Sequence, residues 1–175
     1  MHGYKDYTLK AKLNSFNAIE DELSRLNALF VGTDKQTDYY FQVAKGKLKL
    51  RQGTIENLIT HYERIPENGI EKTIVYRYEK NPSVEEIESL KESRNIIGKV
   101  EKQRKIYWLE NVKIHLDKMD DGQQFIEIEA IDVSNRFTEN DLKEQCFDIK
   151  SKLAINDEDV IRTGYLPPPY NTPQA

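Results

Sequence analysis

GTDKQTDYYFQVAKGKLKLRQG, residues 32–53, carries the pattern that decides the fold. Lys47, Lys49 and Arg51 occupy every second position, with Leu48 and Leu50 between them. Side chains of a strand leave opposite faces in turn, so this spacing predicts a strand over 46–52 with one cationic and one apolar face. A second strand is expected near 37–43. The same period recurs on both sides. Asp6, Thr8, Lys10 and Lys12 alternate with Tyr7, Leu9, Ala11 and Leu13. Thr60, Tyr62 and Arg64 share a face, as do Lys102 and Arg104. Lys113, His115 and Asp117 oppose Val112, Ile114 and Leu116, and Glu127 and Glu129 oppose Ile126, Ile128 and Ala130.

Taken strand by strand, such alternation fits an antiparallel sheet with one wet face. The signs, however, are sorted: three strands carry mostly Lys and Arg, and one hairpin carries Asp117, Glu127 and Glu129. A solvated face usually mixes signs to avoid a large single-sign field. The alternative turns the apolar faces outward against helices and the polar faces inward around a lumen. Stacked cations there repel unless an anion lies between them, and a polyphosphate supplies one through charge-assisted hydrogen bonds. Asp117, Glu127 and Glu129 would hold a hard cation such as Mg²⁺ or Mn²⁺, which prefers oxygen ligands.

Further strands are expected over 4–13, 56–65, 71–79, 99–109, 111–119 and 124–133, with a tight turn at Asp121-Gly122. Helices are expected over 17–29, capped by Ser15 or Asn17, over 82–98 between Pro82 and Gly98, over 138–153, and over 156–163 with Asn156 as cap. Eight or so antiparallel strands with little internal Pro predict an α+β fold, a closed eight-stranded antiparallel β-barrel flanked by helices. One domain spans 1–166, and a Pro-rich tail covers 167–175.

The chain has 175 residues, 38% of them apolar and 32% charged, which suits one globular domain. A net charge of −4 makes nucleic acid and anionic membrane poor partners. No apolar run approaches a membrane span, and the N-terminus lacks a signal-peptide stretch. The lone Cys146 forms no intrachain disulfide and fits a cytoplasmic protein.

Five segments in order, namely residues 32–53, HYERIP at 61–66, Lys102-x-Arg104, KIHLDKMDDG at 113–122 and FIEIEA at 125–130, resemble the CYTH family. This is the superfamily of class IV adenylate cyclases and thiamine triphosphatases, and the match is to its class IV cyclase-like branch, from about Tyr4 to Tyr165. The resemblance implies a triphosphate tunnel. Lys10, Lys12, Lys47, Lys49, Arg51, Arg64, Lys102, Arg104 and Lys113 would hold the triphosphate. Asp6, Asp117, Glu127 and Glu129 would hold Mg²⁺ or Mn²⁺. Lys10, Arg64, Asp117, Glu127 and Glu129 would carry catalysis. The implied substrate is a nucleoside or organic triphosphate: ATP, thiamine triphosphate or inorganic triphosphate. A cyclase would direct the ribose 3′-oxygen at the α-phosphorus and release pyrophosphate; a triphosphatase would direct water at the terminal phosphorus. A homodimer is compatible with such tunnels.

The chain departs from the family's opening E-x-E-x-K, which reads here Asp6, Thr8 and Lys10, so a metal-binding carboxylate is replaced by a hydroxyl. The family's Arg before I-H-L-D is Lys113, which loses bidentate geometry. Thr8 favours a second reading, a module that binds a triphosphate or polyphosphate without turnover. A third is a structural tunnel that receives a partner's acidic segment. His115 reads as a general base, a phosphate contact or a structural histidine. His2 and His61 read as surface, Cys146 as helix packing, Tyr165 as packing or a closure of the tunnel mouth, and Asp157–Asp159 as helix N-terminal charge.

Overall fold

The period-two faces wrap a closed sheet. The computed structural model describes residues 4–161; His2, Tyr165, the end of the expected last helix and the Pro-rich tail lie outside the described residues. The order along the chain is β1 (Lys5–Leu13), α1 (Asn17–Arg25), β2 (Leu29–Phe41), β3 (Lys47–Gly53), β4 (Asn57–Glu67), β5 (Ile70–Lys80), α2 (Val84–Ser93), β6 (Ile96–Leu109), β7 (Val112–Met119), β8 (Gln124–Asp132), α3 (Glu139–Lys152), a 3₁₀ turn (Asp157–Asp159) and β9 (Val160–Ile161). Neighbouring strands run β5-β4-β3-β2-β6-β7-β8-β1, and β1 pairs back onto β5, which closes an eight-stranded antiparallel barrel. The two-residue β9 adds to β1 beside Lys10 and Ala11. No helix among the described residues is long and apolar enough to cross a membrane.

Apolar faces point outward, under helices. Tyr7, Leu9, Ile114, Leu116, Ile126 and Ile128 pack with Ile19 and Leu23 of α1 and Leu142, Cys146 and Ile149 of α3. Leu48 and Leu50 pack with Phe41, Ile59 and Leu90 of α2. Thr138 caps α3 with a capping box: its hydroxyl accepts from the Asp141 N–H, and the Asp141 carboxylate accepts from the Thr138 N–H.

Three expected helices are shorter than their patterns suggest. The first ends at Arg25 instead of 29, because Asn27 turns to φ 59° and Ala28 N–H returns to the Leu23 carbonyl. Leu29 is thereby released into β2, which starts well before residue 37. Phe16 holds the N-cap position of α1, and Ser15 Oγ accepts the Asn17 N–H nearby. The second helix starts at Val84, capped by the Ser83 hydroxyl, and ends at Ser93. Arg94 is extended, and Ile96, Ile97 and Gly98 belong to β6, where Ile96 pairs with Phe41 and Gly98 with Tyr40. Two β-branched residues there prefer the pleated ladder. The third, expected over 156–163, is a single 3₁₀ turn followed by β9, and Asn156 caps it with no side-chain bond.

Candidate functional site

Inside the barrel lies a cavity of about 290 Å³. Eight of the nine cations expected to hold phosphate are in its wall: Lys10 from β1; Lys47, Lys49 and Arg51 from β3; Arg64 from β4; Lys102 and Arg104 from β6; and Lys113 from β7. The ninth, Lys12, is exposed, because the Lys12–Phe125 pair lies beyond the Lys10–Glu127 level of the ladder. Asp6, Glu127 and Glu129 also line the cavity.

Arg51, Lys102, Arg104 and Lys113 are held closely by carboxylates. Arg51 grips Asp38 bidentately, Nε to Oδ1 at 2.8 Å and Nη2 to Oδ2 at 2.9 Å, and Lys102 donates to the same Asp38 at 2.7 Å. Arg104 grips Asp117 through two bonds of 2.7 Å and reaches Glu127 at 2.8 Å. Lys113 pairs with Glu56. Burial alone would raise the Asp38 carboxyl, but Arg51 and Lys102 overcome it and hold the group well below the usual range. Glu56 is half-buried, which would raise it, yet Lys113 and Arg51 bring it to about 2.

Lys49 and Arg64 are differently placed. Lys49 Nζ sits 5.2 Å from the Tyr62 ring centroid, and among the described residues no carboxylate lies within ion-pair distance of it. Arg64 stands 5.5 Å from the same ring, has only a 4.0 Å contact with Glu127, and leaves its Nε without a partner. Burial pulls the lysines down, helped by neighbouring cations: Lys10 to about 7, Lys47 to about 8, and Lys49 well below its ordinary value. Further orphaned polar atoms in the wall are both ring nitrogens of His115 and Thr73 Oγ1. A buried polar group without a partner is uncommon, and these face a space that a ligand rich in oxygen would fill.

The four carboxylates expected to hold a metal sit in different surroundings. Among the described residues no group of three or more His, Cys, Asp or Glu side chains is arranged to hold a metal ion. Asp117 is fully buried outside the cavity lining, with both oxygens on Arg104, and Glu127 is shared by Arg104 and Arg64. What remains is a carboxyl pair. Burial and the adjacent Glu129 raise the Asp6 carboxyl well above its ordinary value. Tyr4 donates to Asp6 Oδ2 at 2.9 Å. Thr8, where the resembled pattern has Glu, is buried and gives its hydroxyl to Asp6 Oδ1 at 3.1 Å.

Sequence reasoning missed Asp38, Glu56 and Glu71 as wall residues, while Tyr62 lines the wall on the face it shares with Thr60 and Arg64. Asp34, Gln36 and Asp38 alternate along β2, so the period-two rule applied from residue 29 would have placed them inside. Glu56 carries no such signal: it sits on the β3–β4 loop, which Asp34 pins by accepting the Ile55 N–H at 2.8 Å and the Glu56 N–H at 2.9 Å. Gly53 makes room for that clasp, since a Cβ there would meet Asp34 Oδ1 at 2.6 Å.

The fold and tunnel recur in known proteins. The PH1012 protein of Pyrococcus horikoshii is 26% identical, with 89% of this chain and 94% of that one covered and a TM-score of 0.75. A candidate adenylate cyclase of Vibrio parahaemolyticus shares the fold at 15% identity, 94% and 97% coverage and a TM-score of 0.74. HpAC1 of Hippeastrum, a candidate adenylyl cyclase described with a dominant triphosphatase activity, does so at 15% identity, 86% and 88% coverage and a TM-score of 0.56. No functionally curated protein matches the chain. The CYTH domain model matches residues 5–165, the whole span from the first lumen strand past β9. A closed antiparallel tunnel walled by Lys and Arg, matched over that length, makes this chain a member of the CYTH domain family.

Proposed function

We propose that this chain is a divalent-metal-dependent enzyme acting on a nucleoside or organic triphosphate, as an adenylate cyclase or a triphosphatase. One observation carries the reading: Lys10, Lys47, Lys49 and Arg64 line the same closed lumen as the Asp6–Glu129 carboxyl pair. A polyphosphate complements the charge of the first group, and its oxygens complete a cation's shell on the second. The names of the Vibrio and Hippeastrum proteins are consistent with both chemistries on this fold.

The roles follow from the contacts. Lys49 and Arg64 take phosphate oxygens, since neither has a close internal carboxylate. Lys10 adds its charge beside them. Arg51 and Lys102, fixed by Asp38, and Arg104, fixed by Asp117, present their remaining N–H groups in set directions, so charge developing on the phosphates meets dipoles already in place. Asp6 and Glu129 would hold Mg²⁺ or Mn²⁺, which is commonly bound through one or two carboxylates plus substrate phosphates. When bound, the cation neutralises phosphate charge as a Lewis acid. In the cyclase the ribose 3′-oxygen attacks the α-phosphorus and pyrophosphate leaves. In the hydrolase water attacks the terminal phosphorus. Both begin with the same phosphate grip.

Thr8 favours a second reading, binding without turnover. Its hydroxyl is engaged by Asp6 and brings no charge to the carboxyl pair. Incubating the protein with ATP, inorganic triphosphate and thiamine triphosphate, each with Mg²⁺ or Mn²⁺, separates the readings by product. Cyclic AMP with pyrophosphate identifies the cyclase, and orthophosphate the hydrolase. Ligand-dependent stabilisation without product identifies the binding module. No stabilisation by any triphosphate refutes the proposal.

A further inference from the structure

His115 lies midway along β7, opposite Ile106 of β6 and Glu127 of β8. It is 4% exposed, forms part of the cavity wall, and has no hydrogen-bond partner on either ring nitrogen. A buried imidazole kept for structure gives its N–H to a carbonyl or carboxylate, since leaving it unpaired costs the desolvation of that group. The carboxylate across the strand does not serve: Glu127 accepts from Arg104 at 2.8 Å and faces Arg64 at 4.0 Å, and makes no hydrogen bond to His115. Two more orphans adjoin the same contact: Arg64 Nε, and Thr73 Oγ1 on the residue paired with Arg64 across β4 and β5. Unmet donors and acceptors thus lie in the cavity wall on β7 and on the β4–β5 pair. Burial, with the nearby charges of Arg104 and Lys113, holds the imidazole well below the usual His range, so it stays uncharged in neutral solution.

We propose that His115 is a ligand-binding residue of the tunnel: its neutral imidazole donates one N–H to a phosphoryl oxygen of the bound triphosphate and accepts, at its other nitrogen, from a water or hydroxyl held beside that oxygen. This rests on the triphosphate reading above. Lys and Arg only donate, so a neutral imidazole adds an acceptor that the cationic wall lacks at this level. It also adds no charge. Removing it should therefore weaken binding without altering the response to salt, whereas removing Lys49 should change both.

The test is calorimetric titration of inorganic triphosphate in EDTA, at low and moderate salt, with the native protein, His115→Phe, His115→Gln and Lys49→Ala. His115→Phe should bind about 10- to 100-fold more weakly, the range for a hydrogen bond to a charged group. Its salt dependence should parallel that of the native protein, and His115→Gln, which keeps a donor and an acceptor, should recover part of the loss. The ring nitrogens of His115 in ¹⁵N-labelled native protein should shift on saturation, a readout that holds even if His115→Phe fails to fold. Affinity within twofold of native for His115→Phe, a changed salt slope, or unshifted ring nitrogens would overturn this inference alone. Failure of the native protein to bind triphosphate at all would overturn the triphosphate reading with it.

Discussion

Lys10 makes triphosphate binding depend on pH in a way that can be calculated. Burial lowers its ammonium to about 7, with Arg64 and Arg104 adding to the effect and Glu127 and Asp117 opposing it. Below that pH the empty tunnel already carries the charge that phosphate needs. Above it the empty protein holds Lys10 neutral, and a bound polyanion must draw a proton back onto it. Affinity therefore falls as pH rises, by up to tenfold per pH unit once Lys10 is mostly neutral. Between pH 6 and 8.5 a single group titrating near 7 gives a loss of about 30-fold. Lys47, at about 8, steepens the upper end. Titration of inorganic triphosphate across that range, in buffers of different ionisation enthalpy, reports both the affinity and the protons taken up. Lys10→Arg is the comparison, because a guanidinium stays charged throughout and the ligand's own ionisation is common to both proteins. The native curve should fall more steeply than the variant's, with proton uptake approaching one more per ligand. Parallel curves with equal uptake would show that Lys10 does not titrate in this range or does not meet the phosphates.

Asp38→Ala should destabilise the protein by about 3–5 kcal/mol in thermal or urea unfolding, because Arg51 and Lys102 lose the buried carboxylate they share. Gly53→Ala should cost about 1–3 kcal/mol and weaken triphosphate binding together, since the added Cβ meets Asp34 Oδ1 and the Glu56 carbonyl, both at 2.6 Å; a melting temperature equal to native would contradict the Asp34 clasp. Thr8→Glu should lower the melting temperature of the metal-free protein by crowding Asp6 and Glu129, and Mn²⁺ should restore more of it than in the native protein. Any Mn²⁺-dependent turnover should rise in the same variant, and a native enzyme of equal rate and equal metal response would show that position 8 matters little.

The barrel was legible because its strands obey one rule without exception on their outer faces. Leu48 and Leu50 sit under α2, and Ile114, Leu116, Ile126 and Ile128 under α1 and α3, so a period of two, read from six segments, sufficed to orient most of the lumen residues it named; Lys12 is exposed, and Thr8 and Asp117 are buried outside the cavity lining. Helix ends were less legible because their causes are local. Asn27, turned to φ 59°, stops α1 inside a stretch whose apolar pattern runs on into Leu29. Ile96 and Ile97 continue the spacing of α2, yet they gain more by pairing with β2 than by extending an exposed helix. A pattern of apolar positions says which face is buried and is silent about where the chain changes period.

For the site, eight of the nine cations named from the sequence line the cavity, whereas several of the carboxylates that face them were not named, and the reason is electrostatic. Eight Lys and Arg side chains around one cavity of about 290 Å³ cannot fold on the promise of a ligand. In a low-dielectric interior an unpaired buried charge costs several kcal/mol, so most of them must be neutralised in the empty protein. That requirement predicts buried carboxylates on the same faces, and Asp38, Asp117 and Glu127 meet it, with Glu56 added from the β3–β4 loop. The sequence reading assigned Asp117 and Glu127 to a metal because it asked only what a ligand would need. Asking also what the empty tunnel needs moves both to the guanidinium of Arg104. Asp6 and Glu129, the first raised by burial and by the second, are the carboxyl pair proposed above for a cation. The same question singles out Lys49 and Arg64, with no close carboxylate of their own, as the side chains that wait for phosphate.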